Sequence, residues 1–249
     1  MFNINNNHRV YINTNTEHNP RIVIRLNDKV ILSDSYNVNN PKVIIKLKLY
    51  NNLNFITYLS EYGRVAVLEW LKNSGLPLKY DEYALYSASQ KGHVAVLEWW
   101  KNSRLPLKYS EHTLNVASEN GQVAVLEWWK NSELPLKYSQ WALYLASAGG
   151  HINVLEWWKN SGLELKYNGD VLYWASRFGH INVLEWWKNS GLPLKYTIDA
   201  MNWGSSNGHV AVLEWWKNSG LHLKYDENVI KYCCIEALEW WEKSGLLLE

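Results

Sequence analysis

The stretch GHVAVLEWWKNSRLPLKY (92–109) decides the reading of this chain, because it returns nearly unchanged every 29 residues. Near-copies open at Gly63, Gly121, Gly150, Gly179 and Gly208. A fixed period of this length marks a stacked array, in which each unit hides its apolar surface against its neighbours. Inside the stretch Val94, Val96, Leu97 and Trp100 are apolar, while Ala95, Glu98 and Asn102 fall on another face, the spacing of an amphipathic helix. Adjacent positions on a helix point about 100° apart, so Trp99 and Trp100 are expected to make different contacts, one within its own hairpin and one with a neighbour. The LPLKY run alternates Leu105 and Leu107, which predicts an extended strip with two leucines tucked under the stack.

The repeat register holds from Leu47 onward and predicts seven helical hairpins. Their first helices are expected to begin at Asn52, Asp81, Ser110, Ser139, Asn168, Thr197 and Asp226, all residues whose side-chain oxygen can accept from the free amides of a first turn. Most end at a Gly suited to the left-handed conformation that stops a helix. The ends differ from the middle. Leu59 stands where Ala88 does and Leu71 where the second Trp does, and the final LEWW interval shrinks to 25 residues, between Leu213 and Leu238. Residues 228–243 are therefore expected to form either one longer helix or a tighter hairpin that terminates the array. Residues 1–46 show no echo of the repeat. Their β-branched runs RVYI, RIVIRL, KVIL and KVIIKL, broken by Asn-Pro and Asn-Asp steps, read as short strands. The expected organisation is an Asn-rich amino-terminal segment (1–46) followed by a repeat domain (47–249).

Charge is balanced, with 25 basic and 24 acidic side chains in 249 residues, which disfavours a phosphate-tracking surface and hence nucleic acid. Cys233 and Cys234 are the only cysteines and are adjacent, a poor placement for bridging a fold. No signal-peptide core opens the chain and no apolar run approaches membrane-spanning length. The expectation is a cytoplasmic or nuclear protein that does not enter membranes.

The unit YALYSASQKGHVAVLEWWKNSR (83–104) resembles an ankyrin repeat through Leu85, the small pair Ala88 and Ser89, the Gly92-His93 turn, and the V-x-V-L run, with a closing Gly in most other repeats where Arg104 stands here. The resemblance covers residues 47–249, about four fifths of the chain. It implies an all-α fold, an α-solenoid of seven stacked helix-turn-helix ankyrin-like repeats, preceded by a short amino-terminal segment with β-strands. Ankyrin repeats usually run to about 33 residues. The shortening here falls between hairpins, where the family carries β-hairpin fingers, and the family's Thr-Pro-Leu-His start is replaced. A stack without full fingers is implied, and members of the family mostly bind other proteins.

Comparing the repeats with each other separates framework from variation. The second helix and connector barely change, whereas the first helix varies at the positions of Tyr83, Tyr86, Ser87 and Gln90, whose spacing gathers them on one face. The candidate partner-binding residues on this stripe are Tyr83, Tyr86, His112, Asn115, Trp141, Tyr144, Asp170, Tyr173, Trp174, Arg177, Asp199, Asn202 and Trp203. Tyr, Trp and Arg are the types that anchor interfaces. At the Ser87 position, Val116, Leu145, Trp174 and Trp203 suit core packing as well as contact.

Other patterns carry less. His93, His151, His180 and His209 occur once per repeat at a turn, without a second ligand at metal spacing, and suit a structural hydrogen bond. The Trp-Trp pairs lie in an apolar stripe and suit the core better than a sugar or membrane surface. The recurrent Glu98 and Lys101 pairing reads as a solvated outer face. No Ser-His-Asp set, paired carboxylates or phosphate loop emerges. The sequence thus points to a monomeric, non-enzymatic scaffold that binds a protein partner and needs no cofactor or metal. A helical-repeat nucleic-acid reader and a self-associating architectural array are the rivals.

Overall fold

The computed structural model describes the backbone of residues 10–13, 21–26 and 29–35, and residues 37 and 39–246 with their side chains. The remaining parts of the amino-terminal segment and residues 247–249 lie outside the described residues. The chain divides into two compact units, Met1–Tyr109 and Ser110–Glu249.

In the first unit, β1 (Val10–Asn13), β2 (Arg21–Leu26) and β3 (Lys29–Ser35) form an antiparallel sheet in that order, with Val10 opposite Ile24 and Arg25 opposite Val30. Three of the four expected β-branched runs are therefore strands. The fourth, KVIIKL, is helical instead: α1 spans Pro41–Lys46. Pro41 suits a first helical position because it lacks an amide that would go unused there, and the Asn40 side chain caps the turn by accepting from the Lys42 amide. These two start signals outweigh the β-branched composition. A short 3-10 turn (Leu49–Asn51) leads into two hairpins, α2 (Leu53–Glu61) with α3 (Val65–Asn73), and α4 (Tyr83–Gln90) with α5 (Val94–Asn102).

The second unit holds five hairpins. They pair α6 (His112–Glu119) with α7 (Val123–Asn131), α8 (Trp141–Ala148) with α9 (Ile152–Asn160), and α10 (Asp170–Arg177) with α11 (Ile181–Asn189). They continue with α12 (Asp199–Ser206) and α13 (Val210–Asn218), then α14 (Asn228–Lys231) and α15 (Ile235–Ser244). The tighter hairpin is thus the outcome at the carboxyl end: without the equivalents of residues 90–93, α14 keeps a single turn. Within each unit first helices pack on first helices and second on second, the packing of an α-solenoid.

The start signals act through side chains at five of the seven expected positions. Asn52, Asp81, Asn168, Thr197 and Asp226 each accept from the amide two residues on, at 2.8 to 3.3 Å. Ser110 and Ser139 instead accept through their carbonyls from the Thr113 and Ala142 amides, second in their helices, and the Ser139 hydroxyl accepts from Asn115 Nδ2 at 3.0 Å.

Both tryptophans of a second helix turn their N–H to the preceding hairpin, a difference from the expected division of labour. The second Trp is fully buried, and a buried indole N–H needs an acceptor. Trp158, Trp187 and Trp216 find one in Ser118, Ser147 and Ser176, each at 3.0 Å, as Trp100 finds Ser60 at 3.3 Å in the first unit. The first Trp lies edge-on to it, with ring centroids 5.1 Å apart at Trp157 and Trp158. Its N–H donates to a Glu one hairpin back: Trp99 to Glu69, Trp157 to Glu127, Trp186 to Glu156 and Trp215 to Glu185, at 2.7 to 2.9 Å. Hydroxyls thus join the inner layer and carboxylates the outer.

The connectors are extended, with half-buried leucines alternating with exposed residues, as the LPLKY pattern predicts. Tyr80 donates its hydroxyl to the Pro106 carbonyl at 2.9 Å, and Lys108 returns to the Tyr80 carbonyl at 3.0 Å while lying over the Tyr80 ring. The same lacing joins Tyr138 with Glu164 and Lys166, and Tyr196 with His222 and Lys224.

Candidate functional site

Framework positions of the first helices all point inward, which leaves the variable ones to define the outer surface. In α8, Ala142, Leu143, Ala146 and Ser147 are buried; in α10, Val171, Leu172, Ala175 and Ser176; in α12, Ala200, Met201, Gly204 and Ser205. Turns fix where each helix stops. Gly179 has φ 78°, and a Cβ there would stand 3.0 Å from the His209 ring. That ring donates through Nε2 to the Arg177 carbonyl at 3.0 Å, as His180 does to the Ala148 carbonyl at 2.8 Å. The recurrent histidines at these two turns therefore hold structural hydrogen bonds.

The residues of the predicted stripe divide between surface and packing. In the first unit Tyr83 is exposed and meets half-buried Tyr86 edge-on at 5.9 Å. In the second unit His112, Trp141, Asp199 and Trp203 are exposed, and Asp170, Tyr173, Trp174 and Arg177 are half-buried. Asn115, Tyr144 and Asn202, by contrast, are buried. Their shared position faces the next first helix rather than solvent. Asn115 donates to Ser139, and Asn202 donates to Asp226 at 2.8 Å, so each ties the start of the following helix. Burial raises the Tyr144 hydroxyl above the ordinary phenol range, with the Asp170 carboxylate adding to the effect. Variation between repeats and helical spacing cannot tell a face turned to solvent from one turned to a neighbouring helix.

What the fold brings together is an aromatic cluster on α8, α10 and α12. Trp141 approaches Trp174 with ring centroids 6.0 Å apart, and Tyr173 approaches Trp203 at the same distance. Phe178, the residue after α10, stacks on Trp174 with 5° between planes. Arg177 sits in the middle. Its guanidinium lies 4.3 Å from the Trp203 centroid and 5.7 to 5.9 Å from those of Phe178, Trp174 and Tyr173, and it donates to the Tyr173 hydroxyl. Exposure of 43 % at Trp141, 47 % at Phe178 and 38 % at Trp203 makes this a solvent-facing patch rather than core. Phe178 lies outside the predicted stripe. Its sequence signal was available: the equivalent positions hold Tyr62 in the first hairpin and then Lys91, Asn120, Gly149 and Asn207, so Phe178 is the one aromatic residue there after the first repeat.

The outer face of the second helices is built differently. Glu127, Glu156 and Glu185 accept from the indole N–H of the next hairpin and from an Asn amide four residues on, and these two bonds, the indole's foremost, hold each carboxyl below the ordinary range. These Glu side chains and the Lys three residues on are exposed, the solvated face the sequence predicts, and the carboxylates also bond the next hairpin. A cavity of about 540 Å³ beside α3 has Arg64 as its one charged lining residue.

The crystal structure of the human ASB11 ankyrin repeat domain is similar to this chain, with a TM-score of 0.61 at 14% identity over 78% of this chain and 99% of that one. The fold is that of an ankyrin repeat domain. No protein-family model and no curated protein matches the sequence. Among the described residues no helix is long and apolar enough to cross a membrane, and no group of three or more His, Cys, Asp or Glu side chains could hold a metal ion.

Proposed function

We propose that this chain is a non-enzymatic scaffold that binds a protein partner through the exposed side chains of its first helices. One observation carries the reading: the fold leaves Trp141, Phe178 and Trp203 facing solvent around Arg177, while the second indole of each interior pair is fully buried. Large aromatic rings and arginine supply most of the binding energy at interfaces, and contiguous exposed apolar patches mark interaction sites. Ankyrin folds generally serve as protein-binding scaffolds, which agrees with this use of the face. The cluster offers rings and one guanidinium, groups that hold a ligand by stacking and hydrogen bonding.

On this reading residues 47–249 bind the partner, residues 1–46 form a separate segment, and the protein acts as a monomer in the cytoplasm or nucleus without cofactor. Free Cys233 and Cys234 fit a reducing compartment. Affinity capture with the wild-type chain and with a Trp141→Ala, Arg177→Ala, Trp203→Ala triple variant tests it. The variant is expected to melt like wild type and lose a specific partner; an identical set of captured proteins would remove this face from consideration.

A further inference from the structure

We propose that the cluster on α8, α10 and α12 reads a carboxylate: Arg177 pairs with an Asp or Glu of a partner's peptide segment, and an adjacent apolar side chain of that segment packs on Trp141 or Trp203. This rests on the protein-binding reading above and names the chemistry of the partner. The Arg177 guanidinium is half-buried, surrounded by four rings and anchored through one donor to the Tyr173 hydroxyl. Ring faces attract a cation and fix its plane, so its geometry is set before any ligand arrives. A guanidinium has five N–H donors. Among the described residues no carboxylate forms an ion pair with it, whereas Lys72, Lys91 and Lys243 each have a Glu partner. A half-buried cation on this face is therefore left with no anion among the described residues. Its remaining donors form the flat fork that matches a carboxylate bidentately.

The surroundings restrict the anion further. Arg177 is the only Lys or Arg on α6, α8, α10 and α12, and acidic Asp170 and Asp199 begin α10 and α12. A single positive charge, with the acids of α10 and α12 at the opposite ends of those helices, suits one carboxylate. Phosphorylated motifs are usually met by clusters of arginines, and a nucleic-acid strand by a basic groove that follows its backbone. The exposed faces of Trp141 and Phe178 on one side, and of Trp203 on the other, then call for apolar side chains next to the acid.

The test selects binders to the full chain from a random short-peptide display library, then measures a fluorescein-labelled synthetic peptide by anisotropy. Selected peptides should carry Asp or Glu within two residues of Leu, Phe or Trp. Changing that acid to its amide should weaken binding about tenfold or more, the scale of a charge-assisted bond. Arg177→Gln should do the same, and the two changes together should cost no more than either alone. The peptide-side change keeps the test decisive even if Arg177→Gln lowers the melting temperature. Peptides without an acid, or indifferent to Arg177→Gln, overturn the carboxylate. If those peptides still need Trp141 and Trp203, the protein-binding face survives without it; if they need neither, both readings fall. A library without binders, or displacement of the peptide by oligothymidylate through Arg177, overturns the peptide occupant.

Discussion

Substituting Ser147 with Ala isolates the bond on which the inner layer depends. Ser147 is fully buried in α8, donates to the Leu143 carbonyl at 2.8 Å, and accepts from the buried Trp187 N–H at 3.0 Å. Removing the hydroxyl strands that N–H with no water in reach, a cost of about 1–3 kcal/mol for an unsatisfied buried donor. Alanine returns up to about 0.7 kcal/mol in helix propensity, so the net loss should be about 1–2 kcal/mol. The attribution is checked with Trp187→Phe, which deletes the donor itself. In that background Ser147→Ala should lose most of its cost, a coupling of about 1 kcal/mol, within the usual range for residues in contact. Urea unfolding of the four proteins at constant slope gives the cycle. An unchanged cost of Ser147→Ala in the Trp187→Phe background would refute the idea that indole-to-hydroxyl bonds fasten successive hairpins.

Three further outcomes follow from the same coordinates. Arg104 and Glu133 hold φ of 62° and 61° where other repeats have Gly75, Gly162, Gly191 and Gly220 at 70 to 75°; Arg104→Gly and Glu133→Gly should each raise stability by about 0.5–1 kcal/mol, relief of left-handed strain less the added chain entropy, and a lowered urea midpoint would contradict this. Gly179→Ala places a methyl 3.0 Å from the His209 ring at a φ of 78°, so calorimetry should show a loss of at least about 1 kcal/mol. Glu127, Glu156 and Glu185 have folded values lowered by indole N–H donors first; their contribution to stability is therefore full above the unfolded Glu value of about 4.3 and is lost as pH falls through the lower folded values. Carboxyl NMR titration should show Glu156 moving back up in Trp186→Phe, and no movement would sever the link between indole and carboxylate.

Much of this was legible before any coordinates. The 29-residue period gave the stacked hairpins, the capping residues gave the helix starts, and the glycines gave the turns. Each is a local preference that acts within a few residues of chain. The readings that moved were those where two local signals competed or where a neighbour decided. KVIIKL has β-branched composition yet follows Asn-Pro, and the cap prevailed. Asn115, Tyr144 and Asn202 share a helical face with Tyr173, and only packing of the next helix separates a buried tie from a surface residue.

Sequence by itself determined that this chain repeats, that each hairpin starts near a capping residue and turns at a glycine, and that its variation is confined to the first helices, because periodicity, capping and turn chemistry are properties of short segments. Tertiary structure alone decided that both indoles reach back one hairpin, that Glu serves as an acceptor between hairpins, and that Arg177 lies among rings drawn from α10 and α12. Those facts depend on the offset between stacked helices, a distance that no spacing within one repeat encodes.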